Sequence, residues 1–565
     1  MKKSHVSAVI AMFLLWGYAS DSYSQGMTAE RWQEDLQYLR HLITTERSNL
    51  FHTVTREEWE RQADSLYAEI PNLQRHEIIV GMARLVSAFR IGHTHLPIQP
   101  WRRNAHPDLN FHRFPLLTYV FSDGVFVRSA KEKYRDAVGG RILKIGNLSI
   151  EEAMEAVRPV IPWENEQYFL SAVPYYLSCP EVLHAQGVID DLTTTNLTIE
   201  KDEKKREILL EAESSGPFPG DYGMVHSEAG WVDARYFSDN PEPLYLKNLD
   251  RHHYYEYLPD HKLVYVRHSQ VRNENDETIE QFFGRVMDFV NQNDVEKFVL
   301  DVRLNRGGNN YLNKPVIVGL IGMHKINQPG QLFTIIGRQT FSATQNLVNE
   351  LEKYTETIFI GEPTSENVNF WGDTRQYELP NSGLPVRLSW LWWQNLDPRD
   401  DRPWTAPEIA LDLSFEDYRN NRDPVMAEIL NFENLQPLTE RLRDLFLSGE
   451  SAEAQQKARA YIADSRHRYD SVEDDLNGLG YDLLDEHRLD AAIDVFRLNT
   501  ELYPHSANTY DSLAEGLWKK GLLEAAIENY ERALQMDPGG VGVNSARMLR
   551  KIRQQMKESK KANAY

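Results

Sequence analysis

The sequence predicts an α/β protein whose core, over residues 246–430, is preceded by a helical block and a β-rich region and followed by an all-α segment. Three observations carry this. Between Leu263 and Ile360 short apolar runs alternate with amphipathic helical stretches, the βαβ rhythm of a sheet covered by helices. Upstream, apolar residues recur first at helical spacing and then in short alternating runs around turns. Downstream, positions from Gly480 to Pro538 repeat with a 34-residue period.

At 565 residues the chain is too long for one core. Its 41% hydrophobic and 11% aromatic content is that of a folded protein. The net charge of −22 argues against nucleic acid or an anionic membrane surface as the main partner. The short basic stretch from Arg547 to Lys561 reads as a solvated helix end.

Residues 1–24 have the pattern of a signal peptide: Lys2 and Lys3, an apolar run from Val6 to Trp16, then small residues up to Ser24. The run is too short to span a bilayer comfortably. The expectation is an exported protein, periplasmic or secreted, with no membrane span in the mature chain. Cys179 is the single cysteine, so no internal disulfide and no cysteine metal site can form.

The block 25–105 reads as helices over 29–44, 56–69 and 76–89. It stops at Arg90-Ile-Gly-His-Thr-His-Leu-Pro97. Of the two histidines, at most one is expected to enter a given site, and with no third ligand nearby zinc is set aside. Residues 106–245 read as β-rich. A hairpin is expected over 116–127 around Asp123-Gly124, a second turn lies between Gly139 and Ile150, and a helix covers 151–157.

In the core, a strand over 263–267 leads to a helix over 277–290, with Ile279, Phe282, Phe283, Val286 and Val290 on one face. A buried strand over 298–302 runs into Asp301-Val-Arg-Leu-Asn-Arg-Gly-Gly308. The paired glycines are either a plain turn or a place where backbone approaches a ligand with an N–H turned toward it. A strand over 332–336 is followed by a polar loop and a helix carrying Leu347, Val348 and Leu351. Ser342 falls at the junction of loop and helix. It is either an N-cap or a nucleophile placed among unpaired backbone N–H groups. One more strand, over 357–360, completes the rhythm.

Residues 440–565 read as helical. At the 34-residue offset Gly480 pairs with Ala514, Leu484 with Trp518, Ala491 with Ala525, Ala492 with Ala526, Phe496 with Tyr530 and Pro504 with Pro538. This matches the tetratricopeptide (TPR) pattern. Either residues 452–466 supply a degenerate third unit or the two repeats dock on the core.

Taken together, the core motifs resemble the S41 family of serine peptidases, the tail-specific proteases and their tricorn-like relatives. Asp301-Val-Arg303-Leu-Asn305-Arg-Gly307-Gly308 is similar to the family's D-x-R-x-N-x-G-G. Thr340-Phe-Ser342-Ala-Thr stands in the place of its nucleophile segment, followed by Gly361-Glu-Pro-Thr364 and by Trp404-Thr-Ala-Pro407-Glu-Ile409. The resemblance implies a ClpP/crotonase-like catalytic core, a PDZ-like insert within 106–245 and serine peptidase activity without metal or organic cofactor. One departure is plain: Asn367 stands where tail-specific members carry a lysine base, and an amide cannot take a proton from serine.

The tricorn-like branch draws its base from a Gly-x-His-Thr-like motif, which Gly92-His93-Thr94 matches. The resemblance therefore implies His93 as base, with His95 as the shifted alternative, and Asp401 by position as the orienting carboxylate. Ser342 would attack, while the N–H groups of Gly307 or Gly308, together with Ala343, would hold the oxyanion. The expected substrate is a peptide or unfolded protein tail, and the repeats offer a groove for a protein partner. The competing expectation is a catalytically inactive scaffold that keeps the fold and binds peptides.

Overall fold

The computed structural model describes residues 26–46, 50–98, 109, 111–395, 397–433 and 436–562; the expected signal segment lies outside them. Three helices come first: α1 (Ala29–His41), α2 (Arg56–Glu69) and α3 (Arg75–Ser87). Thr28 and Thr55 cap the first two through their side chains, and Glu77 closes a capping box on α3, satisfying donors that a helix start leaves unpaired. The α1 helix ends in a π-helical turn, Leu42–Glu46.

The next stretch holds β1 (Leu116–Phe121), β2 (Gly124–Lys131), β3 (Arg141–Ile145) and β4 (Leu148–Ser149). Helices α4 (Ile150–Val157), α5 (Glu166–Tyr176) and α6 (Pro180–Ala185) follow, then β5 (Thr194–Lys201) and β6 (Lys204–Glu211). A short ribbon, β7 (Gly220–Asp221) with β8 (Met224–Val225), precedes β9 (Trp231–Asp233). The sheet runs β1-β2-β3-β5-β6, with β4 beside β3 and β9 beside β2. It shares one apolar core with α1 to α6, so the β-rich stretch of the sequence contains two helices, α5 and α6, that periodicity alone did not reveal.

The second sheet is built from β10 (His253–Leu258), β11 (Leu263–His268), β12 (Lys297–Asp301), β13 (Leu332–Ile336) and β14 (Ile358–Gly361). Between these strands lie α7 (Ile279–Gln292), α8 (Lys314–Gly322) and α9 (Ala343–Tyr354). A long hairpin, β15 (Phe370–Glu378) and β16 (Pro385–Trp393), leads to the short edge strand β17 (Ile409–Ala410). The order is β10-β11-β12-β13-β14-β17, parallel except for the β10–β11 pair.

Alternation along these strands divides the apolar residues between two faces. Phe298, Leu300, Leu332 and Ile336 pack against α7, α8 and α9. Val299, Phe333, Ile335 and Ile360 pack against α11 (Pro424–Leu430), which follows α10 (Phe415–Arg419). Parallel strands of this kind deliver their C-terminal loops to one edge, and three of those loops meet at Ser342.

The chain ends in seven helices with a separate apolar core: α12 (Leu438–Ser448), α13 (Ser451–Ala463), α14 (Val472–Asp485), α15 (Leu489–Leu502), α16 (Ala507–Lys519), α17 (Leu523–Met536) and α18 (Val541–Ala562). Small residues at the repeated positions let neighbouring helices touch. A Cβ at Gly480 would stand 2.3 Å from the Phe496 ring, and Ala514, Ala526 and Tyr530 are fully buried.

Candidate active site

After β13 the chain turns tightly. Gly337 N–H donates to Thr340 Oγ1 (3.1 Å), and Thr340 N–H donates back to the Gly337 carbonyl (2.8 Å). Thr340 Oγ1 also donates to the Val302 carbonyl (3.1 Å), while Phe341 N–H donates to the Asn305 carbonyl (3.2 Å). On the other side, Ser365 N–H donates to the Thr340 carbonyl (3.0 Å). The loop is therefore tied to those that follow β12 and β14. At its end Ser342 has φ 59° and ψ −124°, a region that costs a residue with a Cβ roughly 1–3 kcal/mol and is held only by surrounding structure. Ser342 stands at the N-cap position of α9 but makes no capping bond. Its Oγ lies instead 2.9 Å from Nε2 of His93.

His93 is delivered from the loop after α3. The chain reverses through Arg90 at φ 51° and is then pinned to β16. His95 N–H donates to the Arg387 carbonyl (2.8 Å), Arg387 N–H donates to the His95 carbonyl (2.9 Å), and Ser389 N–H donates to Thr94 Oγ1 (3.0 Å). The His93 ring stacks on Phe341 with centroids 4.6 Å apart. Its Nδ1 lies 3.0 Å from Oε1 of Glu366, off the line of an ideal N–H···O bond, since neither atom meets the angular requirement for one. The other Glu366 oxygen accepts the backbone N–H of Ser342. One fully buried carboxylate thus spans both members of the serine–histidine pair.

A second carboxylate stands behind the first. Glu164 Oε1 accepts Gly92 N–H (2.8 Å) and Oε2 lies 3.5 Å from Asn367 N, bridging the loops that carry His93 and Glu366. Burial pushes the Glu164 carboxyl up to about 8, with the neighbouring Glu366 charge adding to the effect. Burial likewise pushes Glu366 well above the usual carboxylate range and lowers the His93 imidazole. Glu366 Oε1 faces His93 Nδ1, with Glu164 behind it.

Gly307 and Gly308 approach the serine from β12. Gly307, at φ +90°, has no room for a side chain: a Cβ would stand 2.8 Å from both the Phe341 carbonyl oxygen and Ser342 Cβ. Its N–H is spent on Asn305 Oδ1 (2.9 Å). The bridge between Gly308 and Val271 uses Gly307 O and Asn309 N, so Gly308 N–H points away from Val271. Ala343 N opens α9, where a first-turn N–H has no intrahelical acceptor. Of the expected oxyanion donors, Gly308 and Ala343 keep theirs available among the described residues; Gly307 does not. Asp301, Arg303 and Asn305 hold the loop. Arg303 pairs with Asp301 and Asp423, and Asn305 Nδ2 donates to the His268 carbonyl (2.9 Å).

A cleft of about 580 Å³ runs past Gly307, Gly308, Tyr168 and His95. His93 lies in a turn closed by Thr94 N–H on the Ile91 carbonyl (2.8 Å) and makes the contact with serine, while His95, bridged to β16, borders the cleft. The donor set of His93, Glu164 and Glu366 lies within 4.8 Å, close enough for a cation. The nitrogen facing Glu366 is Nδ1, however, while Nε2 contacts the Ser342 hydroxyl, the arrangement of a ring set between a carboxylate and a hydroxyl. The atoms fit proton transfer better than metal binding.

Asp401 is not the carboxylate beside histidine. It is exposed, and its neighbour Arg402 is drawn to Asp400 and, at 2.8 Å, to Glu352 on α9, which turns this segment outward. Glu366, one residue before Asn367, stands there instead. A carboxylate adjoining the position of the missing lysine was the sequence signal that could have found it. Glu164, between Trp163 and the α5 N-cap Asn165, carried no comparable signal.

No family model matches the chain, and no curated protein does. Among solved structures, it is similar to mature CPAF at 11% identity and a TM-score of 0.48, covering 71% of this chain and 98% of that one. It is also similar to the photosystem II D1 C-terminal processing protease (14%, TM-score 0.32, 68% of this chain and 93% of that one). A third likeness is to the tricorn protease (13%, TM-score 0.35, 71% of this chain and 36% of that one).

Proposed function

We propose that this protein is an exported serine endopeptidase of the S41 type, acting on peptides or unfolded protein tails. The observation that carries the reading is the 2.9 Å contact between Ser342 Oγ and His93 Nε2, made across 249 positions of sequence. Ser342 attacks the scissile carbonyl as His93 takes its proton. Gly308 and Ala343 N–H groups receive the oxyanion, and the imidazolium, steadied by Glu366, then protonates the leaving amine. With histidine as base, the lysine that Asn367 replaces is not needed. The 580 Å³ cleft beside the paired glycines has room for an extended peptide.

The sheet carrying β1 to β6 serves in this reading as a PDZ-like wall for substrate, and the helix pairs α14 to α17 as TPR units offering a groove to a protein partner. Export rests on the pattern of residues 1–24.

The test is labelling of the purified chain with a fluorophosphonate, together with digestion of an unstructured protein. Wild type and Asn367→Ala should both react. Ser342→Ala and His93→Ala should not, and His95→Ala should be largely spared. A wild-type chain that neither labels nor cleaves would favour a non-catalytic peptide-binding protein.

A further inference from the structure

Away from the catalytic cleft, ligand-type atoms converge where α3 meets α6. His76 and Glu77 lie in the first turn of α3, and His184 lies in the last turn of α6. His76 Nε2 is 3.0 Å from His184 Nδ1, and His184 Nδ1 is 3.7 Å from Glu77 Oε1. All three atoms fall within 4.8 Å of one another. His76 is buried, while Glu77 and His184 are half-buried, so the group is sheltered yet reachable from solvent.

Hydrogen bonding inside the group leaves it incomplete. Two neutral imidazoles share one proton across an N···N contact. His184 Nδ1 then turns either a lone pair or an already committed N–H toward the Glu77 carboxylate. Glu77 Oε2 is held at 2.7 Å by the Gln74 N–H of the capping box, leaving Oε1 on the imidazole side. Glu181, next to the group on α6, is occupied with His112 through its backbone N–H at 3.0 Å and its ring Nδ1 at 2.7 Å. It adds negative charge near His76 without entering the group. Converging lone pairs in a field of two carboxylates are the setting in which a cation replaces missing protons.

We propose that His76 Nε2, His184 Nδ1 and Glu77 Oε1 bind a divalent transition metal, with zinc the ion best matched to two imidazoles and a carboxylate. With metal–nitrogen bonds of about 2.0–2.1 Å, nitrogens 3.0 Å apart subtend roughly 95° at the ion. An opening of about 0.3 Å gives the tetrahedral angle, with water as fourth ligand. The ion would clamp α3, whose far end leads into the His93 loop, to α6.

The experiment is calorimetric titration of zinc chloride into the chelator-treated full-length protein, paired with thermal denaturation. The expected result is one saturable site and a raised melting temperature on zinc addition. Glu77→Gln keeps the capping box, since glutamine serves at that position, and should weaken binding at least about tenfold. His184→Asn should weaken binding more, with both variants folded by circular dichroism before zinc is added. His93→Ala should bind as wild type does. Absence of saturable binding by the wild type, affinities unchanged in both variants, or loss of binding in His93→Ala would each overturn the assignment.

Discussion

In the proposed mechanism Glu366, 3.0 Å from His93 Nδ1, is the residue that orients the base. A carboxylate beside imidazole Nδ1 fixes the tautomer and stabilises the imidazolium, so Glu366→Gln should lower kcat by about 10²–10⁴-fold. Asp401→Asn should leave it within about twofold, as an exposed position away from the chemistry does. Steady-state kinetics on one peptide separates the two. Glu164 gives a pH signature. Its carboxyl is held up at about 8 against an ordinary 4.5, so between those values the folded chain keeps a proton that the unfolded chain has lost. Stability contributed at low pH is therefore lost as pH rises through that window. Glu164→Gln has no proton to lose, and the difference in melting temperature between variant and wild type should move in the variant's favour from pH 5 to pH 8. At this scale motifs in the sequence named Ser342 and His93, which the structure brings to within 2.9 Å of each other. The sequence was opaque for Glu366 and Glu164, because burial and proximity, not residue type, give a carboxylate its role.

The elements that matter most are three loops at one edge of the parallel sheet, each locked to the next by backbone hydrogen bonds. Gly307 is the point where they are tightest. Gly307→Ala would force a methyl group against Phe341 and Ser342, at a cost of about 2 kcal/mol or more, and should abolish fluorophosphonate labelling. Thermal denaturation together with labelling checks both parts. Strands over 332–336 and 116–121 coincide with sequence expectation, because continuous or alternating apolar runs bounded by turns leave few alternatives. The β15–β16 hairpin escaped it. Outward residues such as Asp373, Arg375 and Trp390 are exposed, and its fixed position comes from pairing with His95, a contact no local pattern announces. Helices α5 and α6 were hidden for a related reason: they pack into a core shared with strands, so apolar residues surround them on more than one side.

Across the whole molecule, the C-terminal helices keep their own apolar core and meet the rest through ion pairs such as Arg466 with Glu428 (2.9 Å) and Arg468 with Asp412 (2.8 Å), and through an edge-on ring contact of Trp404 with Tyr469. Every residue assigned to the chemistry lies before them. A chain ending at Leu430 should therefore still label at Ser342, while degradation of a large unfolded substrate should fall several-fold. Comparing labelling with protein digestion by the full and shortened chains checks this. The change of character near residue 440 was legible because a repeat advertises itself at a fixed offset. The way the α/β core shares its edge with the first block was not, since it depends on contacts between segments hundreds of positions apart.

The hydroxyl and the ring that activates it are made far apart in time as well as in sequence. A chain emerging from the ribosome carries a serine of ordinary reactivity. In the proposed mechanism it turns reactive only once its distant parts have found each other. Hydrolytic power in that mechanism waits on the long-range contact, and in a refolding experiment it should lag behind the burial of tryptophan.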